Sequence, residues 1–216
     1  MQNSEEIKKL KYSIILPLFF VLTLWIVKIV DVSEHLNLFY FGVFPRDNKG
    51  LLGIIISPLI HSDFNHLISN SIPLLVLGTG IIYFYRKLAY RVIGFVWLLS
   101  GICVWMGARP SYHIGASGLV YGLAAFLFLS GLIRKDVRLA SISLLVVFLY
   151  GGLVWGVLPI FPHISWEYHL FGGTSGFMAA FLYRNKGPER IIWSWELENE
   201  NTDEDNEDDL NKKTIE

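Results

Sequence analysis

Long apolar runs separated by short charged clusters set the pattern of this chain. They fall at about residues 12–30, 54–85, 92–108, 114–133, 139–158 and 167–184. A helix of roughly twenty apolar residues crosses the hydrocarbon core of a bilayer, so each run predicts one membrane span. A helix also satisfies its own backbone hydrogen bonds, which lipid cannot do. The expected fold is therefore an all-α membrane protein with six spans. The second run is longer than a span needs, and residues 54–63 read as a lead-in. The first run follows Lys8, Lys9 and Lys11 as a signal peptide would, but Val27-Lys28-Ile29 makes a poor cleavage site, so it reads as a retained span. The longest connection, residues 31–53, carries Phe39, Tyr40, Phe41 and Phe44, then Pro45 and Arg46, which suggests a segment resting in the membrane interface.

Charge orients the bundle. Lys8, Lys9 and Lys11, then Arg86, Lys87 and Arg91, then Arg134, Lys135 and Arg138, then Arg184, Lys186 and Arg190 all fall on one side. The other side has only Arg46, Lys49 and Arg109, with Lys28 near the end of the first span. The positive-inside rule puts both termini in the cytoplasm. Residues 1–11 are then a cytoplasmic lead, 12–184 the membrane domain and 185–216 a cytoplasmic tail. That tail is strongly acidic, poor in apolar residues and expected to be disordered. The overall net charge of −1 conceals this asymmetry. A single cysteine, Cys103, excludes an intrachain disulfide framework and a Cys-based zinc site.

Polar residues inside such runs are costly, so they mark candidate function. The second, fourth and sixth runs start on the outer side, and each carries its notable polar residues near that start: His66 and Asn70, Ser117, and His169. His66 and Asn70 are four apart and share a helix face, as do Ser117 and Tyr121. Gly118 and Gly122 form a small-residue pair on the fourth run, and Gly172 and Gly176 form one on the sixth, on the face of His169. Such pairs let membrane helices approach closely. Spans four and six packed through these faces would bring Ser117 toward His169. A serine needs an adjacent base to become a nucleophile, and histidine is the usual one. Asn70, His66 and the backbone N–H of Ser117 are candidate donors to a developing oxyanion.

Three motifs, "HLISN" (66–70) followed by Gly78, "GASGLVYG" (115–122) and "HLFGGTSG" (169–176), resemble those of the rhomboid family of intramembrane serine proteases, in the same order and on the second, fourth and sixth spans. The resemblance covers roughly residues 12–184 and implies a six-transmembrane-helix rhomboid-like bundle. It implies Ser117 as nucleophile, His169 as general base, His66 and Asn70 as oxyanion stabilisers, and Tyr121 packed beside the dyad. Gly115, Gly118, Gly172 and Gly176 support the site. Many family members carry a Trp-Arg motif in the first outer loop; here "FPRD" (44–47) is the nearest feature.

Other polar residues read as structural. Ser175, six residues past His169 on the same helix, is about 9 Å along the axis and on the far side. His61 and His66 are five apart, which does not place two ligands on one helix face, so no metal or other cofactor is expected. His113 reads as a loop residue, and Glu167 sits on a different face from His169. The expected partners are transmembrane protein substrates and the lipid bilayer, with no nucleic acid, and the sequence leaves the oligomeric state open. The expected location is a bacterial inner membrane. The alternative function is a catalytically inactive relative that binds membrane clients.

Overall fold

A computed structural model describes residues 2–149, 155–160 and 164–188. Most of the acidic tail therefore lies outside the described residues. Within them the chain is helical and holds no strand. The helices are α1 (Gln2–Ser33), a short α2 (Gly53–Ile56), α3 (Phe64–Tyr85), α4 (Lys87–Gly107), α5 (Ser117–Arg134), α6 (Val137–Leu149) and α7 (Trp166–Leu182). Among the described residues, four helices are long and apolar enough to cross a membrane: Ser4–Ser33 within α1, and α3, α4 and α5. α7 has 17 residues. α6 has 13 residues and covers the first part, 139–149, of the apolar run at 139–158, the rest of which lies partly outside the description.

The second apolar run is divided. Residues 53–59 form α2 and a 3-10 turn (Ser57–Leu59), and α3 starts only at Phe64. Asp63 makes that start. Its backbone is extended and its side chain accepts the His66 N–H at 2.9 Å, which supplies one of the orphan amides at a helix N-terminus. α1 is continuous from Gln2, so the basic lead is part of the first helix.

α5 lies at the centre, packed against α3, α4, α6 and α7. Its Phe126 and Leu127 are fully buried, as are Leu67, Leu77 and Ile81 of α3. α1, by contrast, exposes Ile15, Phe19, Leu22, Ile26 and Ile29 along one helical face. An apolar band turned outward is how a bundle meets lipid. Loops tie the end at which α3, α5 and α7 begin. Val43 and His113 exchange backbone hydrogen bonds of 2.9 and 2.8 Å, fixing the long first loop to the turn ahead of α5. Arg109, just past α4, pairs with the buried Glu167 of α7 at 3.3 Å. At the opposite end the Arg134 guanidinium donates to the carbonyls of Tyr183 and Arg184, holding the chain that leaves α7.

Candidate active site

The seam between α5 and α7 is built on glycine. A Cβ added to Gly172 would land on the Gly118 carbonyl oxygen, and one on Gly176 on that of Gly122. A Cβ on Gly118 would sit 2.6 Å from the Tyr168 ring. The two backbones are therefore in direct contact, as small residues at these positions permit. This approach sets Tyr121 face to face with His169: the rings stack with centroids 4.2 Å apart and planes 11° from parallel. Ser117 lies one turn N-terminal to Tyr121 and is buried, as is His169.

His169 has a defined tautomer. Its Nδ1–H donates to the Gly156 carbonyl at 2.8 Å, and a carbonyl can only accept. The neutral ring then carries its lone pair on Nε2, the nitrogen that can take a proton. Gly156 itself has no room for a side chain: a Cβ would stand 2.9 Å from His169 Nδ1 and against the Tyr121 hydroxyl. Ser117 Oγ and His169 Nε2 make no hydrogen bond to each other. Such contacts often tighten only when substrate is bound.

The turn that delivers Ser117 depends on Gly115, whose φ of +104° is a region that side chains rarely adopt. A Cβ there would also strike the His66 ring, 2.6 Å from Cε1. His66 thus lies directly against the turn. Asn70, buried one turn along, donates through Nδ2 to the His66 carbonyl at 2.9 Å, which leaves its second amide hydrogen free. The proton of Ser62 goes to the Asp63 carboxylate at 2.6 Å, so the 3.2 Å contact to His66 is donated by His66 Nδ1. In that arrangement a neutral His66 presents an acceptor at Nε2. It becomes a donor there when the Ser62 hydroxyl turns toward it, or when it is protonated. The backbone N–H of Ser117 has no backbone acceptor among the described residues. It needs no such change.

Two groups at this site were not legible as parts of it. The Gly156 carbonyl lies in an apolar run whose sequence offers no signal. His61 was set aside by helical spacing, yet the loop ahead of α3 turns it inward, where its Nε2 accepts the Ala116 N–H at 3.4 Å. Burial, then the neighbouring His66, lowers its pKa to about 3, so it is neutral. Residues expected to be structural take structural partners. Ser175 donates to the Phe171 carbonyl at 2.7 Å. His113 donates through Nε2 to the Arg109 carbonyl at 3.1 Å, and its Nδ1 meets the Ser165 hydroxyl. His113 is nonetheless buried in the loop it occupies, not solvent-facing. Half-buried Cys103 has no disulfide partner.

The fold and this polar cluster define a helical membrane protein with a serine and a histidine on adjoining helices. A family model described as the rhomboid domain matches residues 48–186. An uncharacterized protein of Mycobacterium tuberculosis is 37% identical over 182 residues, which is 80% of this chain and 75% of the relative. A putative rhomboid protease of Bacillus subtilis is 28% identical over 144 residues, 63% of this chain and 69% of the relative. A putative rhomboid protein of Acanthamoeba polyphaga mimivirus is 28% identical over 148 residues, covering 65% and 80%. The chain belongs to the rhomboid family and is an integral membrane protein.

Proposed function

We propose that the protein is an intramembrane serine endopeptidase acting through a Ser117–His169 dyad. Ser117 Oγ attacks the carbonyl carbon of a scissile peptide bond as His169 Nε2 takes its proton. The C–N bond breaks, His169 returns that proton to the leaving amine, and an acyl-enzyme remains. His169 then deprotonates water, which releases the second product and restores the serine. The observation that carries this reading is the Nδ1–H donation from His169 to Gly156, which leaves Nε2 as the basic nitrogen of a ring stacked on Tyr121, one turn from Ser117. No carboxylate is needed to set that tautomer. The N–H of Ser117 and the free amide hydrogen of Asn70 stabilise the oxyanion, with His66 joining as its hydroxyl partner reorients. Tyr121 keeps the histidine ring in plane by stacking.

In this reading all six apolar runs cross the bilayer and both termini are cytoplasmic, supported by the distribution of lysine and arginine. The dyad then lies in the outer half of the membrane, and substrates are transmembrane proteins cut near their outer ends. A bond within an intact helix is shielded, so helix-breaking residues near it favour cleavage. Mycobacterial and Bacillus relatives support a bacterial inner membrane. The missing Ser117–His169 hydrogen bond supports a second reading, an inactive protein that binds membrane clients.

One experiment separates the two. Detergent-purified protein is treated with a fluorophosphonate and the adduct is located by mass spectrometry. The expected result is a label on Ser117 that disappears in both Ser117→Ala and His169→Ala, with cleavage of a membrane substrate falling by about 10³-fold or more. A folded protein that takes no label supports the client-binding reading instead.

A further inference from the structure

We propose that His61 is a positioning residue for the nucleophile turn, acting through its hydrogen bond to the Ala116 backbone. The inference rests on the dyad reading. The turn Gly115-Ala116 is held from one short stretch of chain. The Ser57 carbonyl accepts the Gly115 N–H at 3.0 Å, and His61 Nε2 accepts the next amide, Ala116 N–H. Ala116 is fully buried, so no solvent stands ready to replace that acceptor. The same imidazole meets the His66 ring edge to face, with centroids 5.0 Å apart. One side chain therefore touches both the turn that carries Ser117 and the histidine beside it.

The choice of residue is informative. His61 is 2% exposed, and its Nδ1 is buried without a hydrogen-bond partner among the described residues. A side chain needed only to fill this space would be apolar and would bring no orphaned N–H with it. Histidine fits because its Nε2 lone pair accepts from a backbone amide, Ala116 N–H, for which the turn offers no carbonyl acceptor. The consequence for the chemistry is local. The Ala116–Ser117 peptide carries the Ser117 N–H and sets the direction of its Cα–Cβ bond. Releasing Ala116 lets that peptide rotate, which misaims both the nucleophile and an oxyanion donor while leaving the substrate-facing surface intact.

The test compares H61A, H61F and H61Q in the full-length protein. Phe fills the volume and cannot accept; the Gln amide oxygen reaches about where Nε2 stands. Fluorophosphonate labelling rates at Ser117, kcat and KM for a transmembrane substrate, and melting temperature are measured together. The expected result is a fall of about tenfold in labelling rate and kcat for H61A and H61F, with KM unchanged. H61Q should recover most of the loss. A merely structural role would follow melting temperature and show no preference for the acceptor. H61F at the wild-type rate, or H61Q as slow as H61A, overturns the proposal. If H61F does not fold, H61Q against H61A decides by the same criterion. Wild-type protein that takes no label removes the dyad reading and this inference with it; labelled wild type with an unaffected H61F removes this inference alone.

Discussion

Two helix contacts in this molecule are built to different tolerances. Along the α5–α7 seam, backbone meets backbone, and an added methyl group at Gly172 or Gly176 collides with a carbonyl oxygen. Where α1 meets α3, the tightest glycine is Gly78, and a Cβ there would meet only the Pro17 ring at 3.1 Å. Farther along, α1 and α3 diverge around an apolar groove of about 700 Å³ lined by Ile7, Leu10, Ile14, Val76, Phe84 and Ile142. Lipid is as apolar as these side chains, so little drives such a groove to close. The lesson is about displacement. Tyr121 stacks on His169 across the first contact, and in the proposed mechanism a shift of about 1 Å there would cost catalysis on the order of 10²-fold. No residue of the proposed site bridges the second.

The largest expected effect tests the seam directly. Gly172→Val or Gly176→Val should force the helices apart, lowering cleavage by about 10²-fold and stability by about 1–3 kcal/mol. Gly78→Ala should leave activity within about twofold, because the Pro17 ring met at 3.1 Å need give only a few tenths of an ångström and lies away from the proposed site. Initial rates and thermal unfolding in detergent measure both. Equal effects at Gly172 and Gly78 would erase the distinction between the contacts.

The α1 side has a buried charged anchor of its own. Lys28 is buried, pairs with Asp31 at 3.2 Å and donates to the Ser62 carbonyl at 3.0 Å. Ser62 in turn contacts His66. Lys28→Met leaves the nearly buried Asp31 carboxylate without its cation, with only the Leu38 N–H at 2.9 Å to hold it, and should destabilise the protein by about 3 kcal/mol. Lys28→Met with Asp31→Leu should recover part of that loss in thermal unfolding. A Lys28→Met protein as stable as wild type would reduce α1 to a loosely held wrapper.

The smallest effect concerns the start of α3. Removing its cap with Asp63→Ala should cost about 1 kcal/mol. Hydrogen bonds from Ser62, then from the His66 N–H, hold the Asp63 carboxyl below its ordinary range. A depressed carboxylate stabilises the fold above the unfolded value, about 4, and that contribution is lost as pH falls through the lower folded value. The gap between wild type and Asp63→Ala should therefore narrow below about pH 4, read from unfolding midpoints.

The sequence carried much of this architecture because membrane helices are written as long apolar runs. The pairs Gly118/Gly122 and Gly172/Gly176 were readable because i,i+4 spacing holds along a helix, and the structure packs α5 on α7 through them. The same rule does not reach His61. Its five-residue spacing from His66 argues against a shared face only if both residues lie on one helix, and the chain between the 3-10 turn and Phe64 is not helical. The break inside the second run was legible only as surplus length.

What the sequence determined by itself is local: which stretches are apolar enough to be helices in lipid, which polar residues are placed within them, and which faces are small enough for close packing. Those follow from burying apolar groups and from the fixed period of the helix. What only the tertiary structure decided is which nitrogen of His169 is basic, since its proton is claimed by the Gly156 carbonyl thirteen residues earlier. It also decided that His61 supports the turn ahead of Ser117 from 55 residues away. A hydrogen bond depends on distance and angle between groups that the chain brings together by folding, and no spacing along one helix encodes them.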